Sequence, residues 1–421
     1  MQRFRVYSIL YKFVTVNHCD HSPSEVEFYP MEADGTDYPN AVLPILPPAS
    51  LAAWSVCREV EPGSVFLKGT TSFTQGRYAL HEAIRRVGVM ADTVVLLPAF
   101  HCRSMVEPVL LLGATACFYP VGADLRPDFT ALPLWWREGK PPVVMVLTHY
   151  FGFPNALDEA EQFCARHGIA LIEDCAHAFY GQAGGRLLGS VGRYAVASPW
   201  KFLPVRDGGL LRDNTEVGLP RGIEQSWLAE IKAVVAMLQT GLRHLRPCCE
   251  LPVIDSLALA AKAQLIVMQG CKQVAEQGLK EMVPARLAVS ALRLSRWGTR
   301  HTAHRRVTRL RRENYLRWQE GVRDLTGVRS LFPCLPDGVV PYVFPLLVDA
   351  LGFHLFKLAG IPLWRWEDMA VTDCAVSQDY RLRLLQLPCH QELREDELAW
   401  MIATVRLLSH QLESCSKQPE N

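Results

Sequence analysis

The sequence predicts an α/β protein in which a large, mostly parallel sheet with crossover helices is followed by a smaller C-terminal α+β domain. Short apolar runs at 93–98, 116–121, 143–147, 170–172 and 194–197 alternate with helical stretches, the pattern of parallel strands joined by crossovers. Several runs end in polar or charged residues, and the C-terminal ends of strands are where open α/β sheets keep their ligand sites. The chain has 421 residues, 49% hydrophobic and 21% charged, with a formal net charge of +1. That length exceeds one ordinary domain, and the composition is globular rather than disordered. No net charge points to nucleic acid, and no uncharged run is long enough to span a membrane. The 13 cysteines, including the pair Cys248-Cys249, are scattered without C-x-x-C spacing. Neither a metal site nor a secreted disulfide framework is indicated, and a reducing cytoplasm is expected.

In chain order, residues 1–30 are apolar and basic but interrupted by Lys12 and lack a small-residue cleavage site. They read as an added strand, or as an extension upstream of Met31, rather than a signal peptide. Pro39 to Pro48 is proline-rich and suits an extended arm lying over a neighbour. Gly69 to Val89 is a polar turn entering an amphipathic helix with Leu80, Ile84 and Val87 on one stripe. The unpaired N–H groups at such a helix start favour an anion, with Gln75, Gly76 and Arg77 as phosphate contacts; an ordinary loop-to-helix junction is the alternative. The strand Thr93 to Pro98 leads through Ala99-Phe100-His101-Cys102 into a helix closed by Gly113. Strands at Ala116–Val121 and Val143–Leu147 follow, then a helix over Asp158–His167.

After Gly209 the character changes. Residues 224–246 and 254–282 are long, apolar-rich and helical, interrupted by Glu230, Lys232, Lys262 and Lys272, and are expected to be packing or dimer helices. Arg293 to Arg317 is basic, with only Glu313 opposing it. Such a run is ordinarily a solvated helix face. The sharper alternative is a wall for the phosphates of a nucleotide-linked substrate, with Trp297, Tyr315 or Trp318 stacking on its base. A strand over Tyr342–Val348 and an acidic helix start near the C-terminus complete the chain. The expected division is an arm over 1–60, a large α/β domain over 61–250, helical connections over 251–327 and a small domain over 328–421.

Chemistry concentrates between Leu171 and Leu210. One strand ends in Glu173-Asp174, and Tyr194–Ala197 leads through Ser198-Pro199-Trp200 to Lys201, with Gly208-Gly209 behind. A lysine among apolar and aromatic neighbours is partly desolvated, which favours the neutral amine that attacks carbonyls. Pyridoxal phosphate is the leading candidate cofactor, and Asp174 suits its ring nitrogen.

The run I-E-D-x-A-x-A, the glycine-bearing hairpin, G-x-Y-A-V-x-S, the lysine and G-G together resemble the DegT/StrS type of pyridoxal-phosphate aminotransferases. The resemblance extends from about Gly69 to the C-terminus. It implies the fold type I architecture and, residue by residue, Lys201 as the cofactor lysine, Asp174 at the pyridine nitrogen, His177 beside the ring oxygen and Ser198 on the phosphate. Ser198 and Lys201 are separated only by Pro199-Trp200, closer than in many members. The loop after the first parallel strand supplies a stacking aromatic in similar enzymes, which points to Cys102 or its neighbour His101. Thr148-His149-Tyr150-Phe151-Gly152 resembles the family's H-x-Y-G segment. Tyr150, Trp364, Arg365 and His390 are further substrate candidates. The resemblance implies amino transfer, with glutamate the expected donor, to a keto or aldehyde acceptor such as a nucleotide-linked keto sugar of polysaccharide or secondary-metabolite synthesis, in a homodimer. Alternatives are other pyridoxal-phosphate chemistry, decarboxylation or acyl condensation, and a non-catalytic binding protein on the same scaffold. The family's dehydratase branch carries histidine at the lysine position, and Lys201 argues against it.

Overall fold

The computed structural model describes residues 26–31, 37–54, 63–130, 132, 141–215, 217–218, 222–245, 252–269, 276–277 and 279–416. The expectations for residues 1–25 and for Cys248-Cys249 lie outside them. The strands are β1 (Glu27–Phe28), β2 (Thr70–Phe73), β3 (Val94–Pro98), β4 (Thr115–Tyr119), β5 (Pro142–Thr148), β6 (Ala170–Cys175), β7 (Gln182–Ala183), β8 (Arg186–Leu187), β9 (Tyr194–Ala197), β10 (Gly209–Asp213), β11 (Glu276–Gln277), β12 (Val328–Ser330), β13 (Val343–Val348) and β14 (Leu384–Pro388). Seven form one sheet in the order β2-β10-β9-β6-β5-β3-β4, in which β10 alone runs antiparallel to its neighbours.

Both faces of this sheet are covered, so its strands are apolar almost throughout. Alternate residues point to opposite sides. Val95, Leu97, Val144, Val146 and Ile172 pack under α1 (Gly76–Val87) and α2 (Arg103–Leu111). Leu96, Met145, Leu147, Leu171 and Ala195 face the helix Leu157–His167. That helix carries Asp158 and Glu159 in its first turn and Arg166 and His167 in its last, matching its macrodipole, and stops at Gly168 with φ of 67°. The second sheet, β12-β13-β14, is antiparallel. It is flanked by the helices His304–Val322, Ala350–Leu358 and Ala375–Arg383.

Three expectations differ from the structure. The proline-rich arm lies over this chain's own C-terminal part: Val42 N–H donates to the Gly360 carbonyl at 2.9 Å, and the Pro44 carbonyl receives His390 Nε2 at 3.0 Å. Among the described residues of the stretch 254–282, Ser256–Gln269 is helical and β11 pairs with β1 beyond it. The basic run is two helices, Arg293–His301 and His304–Val322, broken where Thr302 Oγ1 donates to the Gly298 carbonyl. It is not a uniformly solvated face. Arg306 pairs with Glu392, Arg309 with Glu313 and Arg317 with Glu395. Tyr315 and Trp318 are fully buried, their polar tips donating to the carbonyls of Phe332 and Pro388.

Arg311 has no exposure at all. Its Nε donates to Gln391 Oε1 at 2.9 Å, its Nη1 to the carbonyls of Pro341 and Tyr342, and its Nη2 to those of Lys201 and Phe202 at 3.2 Å. One cation therefore fastens the turn carrying Lys201 to the segment entering β13. The helix Trp227–Leu245 leaves Trp227, Leu228, Ile231, Leu238 and Leu242 exposed. No helix among the described residues is long and apolar enough to cross a membrane.

Candidate active site

β6 ends in two buried carboxylates that do different work. Glu173 Oε1 accepts the N–H groups of Val191 and Gly192, both at 2.7 Å, and Oε2 accepts Gly189 N–H at 2.8 Å and His149 Nε2 at 3.1 Å. His149 Nδ1 accepts Asn155 N–H, which places the ring proton on Nε2. Burial opposes the Glu173 charge, but the bonds from His149, Gly192 and Gly189 more than offset it and hold the carboxyl below its ordinary range. Glu173 thus fixes the turn that leads into β9. The donor atoms of His149, Glu173 and Cys175 lie within 4.8 Å of one another, but these hydrogen bonds already use both His149 nitrogens and both Glu173 oxygens.

Asp174 faces the other way, toward Lys201. Burial raises its pKa, opposed by the Ala176 N–H at 2.9 Å and by the Lys201 charge. That N–H engages Oδ1, and among the described residues no hydrogen bond engages Oδ2. Three residues on, His177 is buried between the rings of Tyr342, Trp366 and Phe151, with centroids at 4.6, 5.2 and 5.5 Å. Its Nδ1 is buried with no partner. Burial, and then the Lys201 charge, hold it well below the ordinary histidine range, so the ring is neutral.

β9 runs into the tight turn Pro199–Lys201, with proline at the position whose missing N–H costs nothing. Lys201 Nζ lies 5.6 Å from the Tyr342 ring centroid. Desolvation lowers its pKa, opposed by Cys102 and Asp174. A lysine so placed spends more of its time as the neutral amine.

The start of α1 closes the other side. A Cβ at Gly76 would collide with Ser198 Oγ, so the hydroxyl sits directly against the first helical residue. A Cβ at Gly209 would overlap the backbone of Gln75 and Gly76. The Gly208-Gly209 pair is what lets β10 press against this turn, where Gly208 N–H donates to the Thr74 carbonyl at 2.8 Å. Gln75 precedes the helix without capping it through its side chain, and the buried Thr74 Oγ1 has no partner. Arg77 Nη1 is 2.7 Å from Glu281 Oε2.

Cys102, at the start of α2, is close enough for the charges of Lys201 and Asp174 to act on its thiol, which burial pushes up. Its neighbour His101 turns away. That ring stacks on Phe118 at 4.7 Å, Nδ1 meets the Pro98 and Ala99 carbonyls, and Nε2 accepts Ala370 N–H at 3.0 Å. Tyr150 stands behind the aromatic wall, its hydroxyl donating to the Phe100 carbonyl and its ring 6.3 Å from Trp366.

Three further candidates are not brought to Lys201. Arg365 is buried against Phe353 and paired with Glu367 at 2.8 Å. His390 holds the arm through Pro44. Trp364 is 36% exposed and joined to Gln386 through the backbone. The structure instead adds Tyr342, Trp366, Glu281 and Arg311. Trp366 stands in the Trp364-Arg365-Trp366 run and Arg311 in the basic run Arg293–Arg317, whereas Tyr342 was legible solely as a strand start.

The mostly parallel sheet with Lys201 and Asp174 at its strand ends has the fold type I architecture. The model of the DegT/DnrJ/EryC1/StrS aminotransferase family matches residues 67–217. It is similar to GDP-perosamine synthase of Vibrio cholerae, 25% identical over 154 residues, covering 36% of this chain and 41% of that protein. The alignment thus spans under half of that relative. It is also similar to the UDP-N-acetyl-3-dehydro-alpha-D-glucosamine 3-aminotransferase of Acidithiobacillus ferrooxidans, 29% identical over 355 residues, covering 80% of this chain and 83% of that one. Among solved structures, the aminotransferase TlmJ of Streptoalloteichus hindustanus shares the fold with a TM-score of 0.57 at 21% identity, covering 83% of this chain and 87% of that one.

Proposed function

We propose that this protein is a pyridoxal-phosphate-dependent aminotransferase that passes an amino group from glutamate to a nucleotide-linked keto sugar. The observation that carries the proposal is the convergence of Lys201, Asp174, His177 and the Ser198–Gly76 contact on one buried place. The residues present fit the cofactor. His177 Nδ1 and Thr74 Oγ1 are buried without partners, and the Ser198 hydroxyl sits directly against the start of α1.

When bound, pyridoxal phosphate supplies a carbonyl for the amino group and a ring that withdraws electrons from the bond to be broken. Asp174 Oδ2 would hold the proton on the ring nitrogen, in a buried setting that strengthens such a charge pair. His177 would orient the ring oxygen, held in place by Tyr342, Trp366 and Phe151, which exclude water from the imidazole. Ser198 Oγ and the start of α1 would hold the phosphate. Lys201 Nζ would hold the cofactor through its carbonyl group and, as a neutral amine, would serve as the base for the proton on the donor Cα. Its lowered pKa favours this base role.

The nucleotide-linked acceptor is supported by the two relatives, whose names describe GDP- and UDP-linked amino sugars. The exposed apolar face of Trp227–Leu245 supports a homodimer. Cys102, Cys117, Cys164, Cys175, Cys334, Cys374 and Cys389 are free thiols, which suits the cytoplasm. The test is a panel of UDP-, GDP- and dTDP-linked keto sugars with glutamate, read by mass spectrometry. An amine product from at least one supports the proposal, and pyridoxal phosphate binding with no product from any sugar or simple keto acid overturns it.

A further inference from the structure

Glu281 belongs to the segment after the inserted helices, outside the stretch matched by the family model, yet it stands at the mouth of the Lys201 site. Its position is fixed by an unusual anchor. The wholly buried Glu107 on α2 accepts three consecutive backbone N–H groups, those of Lys280, Glu281 and Met282, at 2.7 to 3.1 Å, and is itself paired with Arg103 at 2.8 Å. Val283 N–H donates to Tyr78 Oη on α1 at 3.3 Å. The segment is therefore strapped to both helices whose starts face Lys201. From it the Glu281 carboxylate accepts Ser104 Oγ and Arg77 Nη1, each at 2.7 Å.

Arg77 is the one cation among the charged groups that act most on Lys201, and Glu281 is among the anions. Arg311, which touches the Lys201 carbonyl, spends its Nε and both terminal nitrogens on Gln391 and four carbonyls. An incoming oxyanion has Arg77 to meet, and Glu281 already holds it. We propose that Glu281 is a resident carboxylate which positions Arg77 in the empty site and gives it up to an oxyanion of the incoming cofactor or substrate. Ser104 retains Glu281 as the guanidinium turns to the new anion, so the exchange needs no movement of the strap. Glu281 in this way tunes the site's affinity for anionic ligands without touching the reacting atoms.

This inference rests on the Lys201 site being a pyridoxal phosphate site. The experiment compares wild type, Glu281→Gln, Arg77→Met and the double variant in spectral titrations with pyridoxal phosphate, with pyridoxal, and, on the cofactor-loaded protein, with unreactive glutarate. Glu281→Gln keeps the side-chain size and an acceptor for Ser104, and melting curves check that each variant folds. The expected result is about two- to fivefold tighter binding in Glu281→Gln, the scale of a partly exposed ion pair, and no such gain when Arg77 is also replaced. A gain for pyridoxal phosphate but not pyridoxal identifies the cofactor phosphate as the exchanged anion. A gain for glutarate alone identifies a substrate carboxylate. Unchanged or weaker binding of both anions in Glu281→Gln overturns the exchange. Absence of any cofactor band in the wild type overturns the parent proposal instead.

Discussion

Replacing Gly76 with alanine separates the phosphate seat from the rest of the site. The added methyl would collide with Ser198 Oγ while lying 3.7 Å from Ser198 Cβ, an ordinary contact. Ser198 is 3% exposed, so the hydroxyl escapes only by rotating away from the start of α1. The loss is one hydrogen bond to a charged group, about 1.5–3 kcal/mol, which corresponds to a roughly 10- to 150-fold rise in Kd for pyridoxal phosphate. Ser198→Ala removes the same oxygen and should cost the same. In the Ser198→Ala background, Gly76→Ala should then add less than about a threefold change, because the two substitutions act through one atom. The assay is a spectral titration of the cofactor-free protein, with melting curves as the check on folding. Additive losses, or wild-type affinity in Gly76→Ala, would refute the idea that Ser198 Oγ and the helix start bind one phosphate.

Asp174→Asn should leave cofactor affinity within about tenfold but slow the glutamate half-reaction by at least about a hundredfold in stopped-flow absorbance, because an amide does not hold the ring proton. Glu173→Gln turns an NH2 toward two of the four donors that Glu173 now receives, and should cost about 2–5 kcal/mol by chemical denaturation at neutral pH. The Glu173 pKa lies below its ordinary 4.5 in the folded protein. Its contribution is therefore complete above that pH and lost as the pH falls through the folded value, so the gap between wild type and variant should narrow on acidification. Arg311→Lys keeps the charge but has three donors for five acceptors, and should cost about 3–5 kcal/mol in stability, visible as a lower melting temperature.

The strand ends were legible because they are written locally. Apolar runs alternate with helical stretches, and Asp174, Ser198 and Lys201 stand just past them, so pattern alone placed them near one another. The phosphate turn was less so, since nothing local shows that Ser198 Oγ packs against a residue more than a hundred positions earlier. His101 misled for a related reason. Its place after β3 suggested a stacking ring, but the Pro98 and Ala99 carbonyls and the Ala370 N–H take both nitrogens. Arg311 looked like part of a solvated run because its partners are mostly backbone carbonyls, which no side-chain pattern announces. Arg365 and His390 sat in the right segments but serve an ion pair and the arm. Tyr342 and Glu281 reach Lys201 only through tertiary packing.

The most direct test of the central claim is the absorbance spectrum of the purified protein with pyridoxal phosphate, taken before and after borohydride reduction, with peptide mapping, beside Lys201→Ala. The account predicts a visible band that glutamate bleaches, that borohydride fixes as a covalent adduct on Lys201, and that Lys201→Ala lacks. A wild-type protein that folds but forms no band, or an adduct on another lysine, would contradict it.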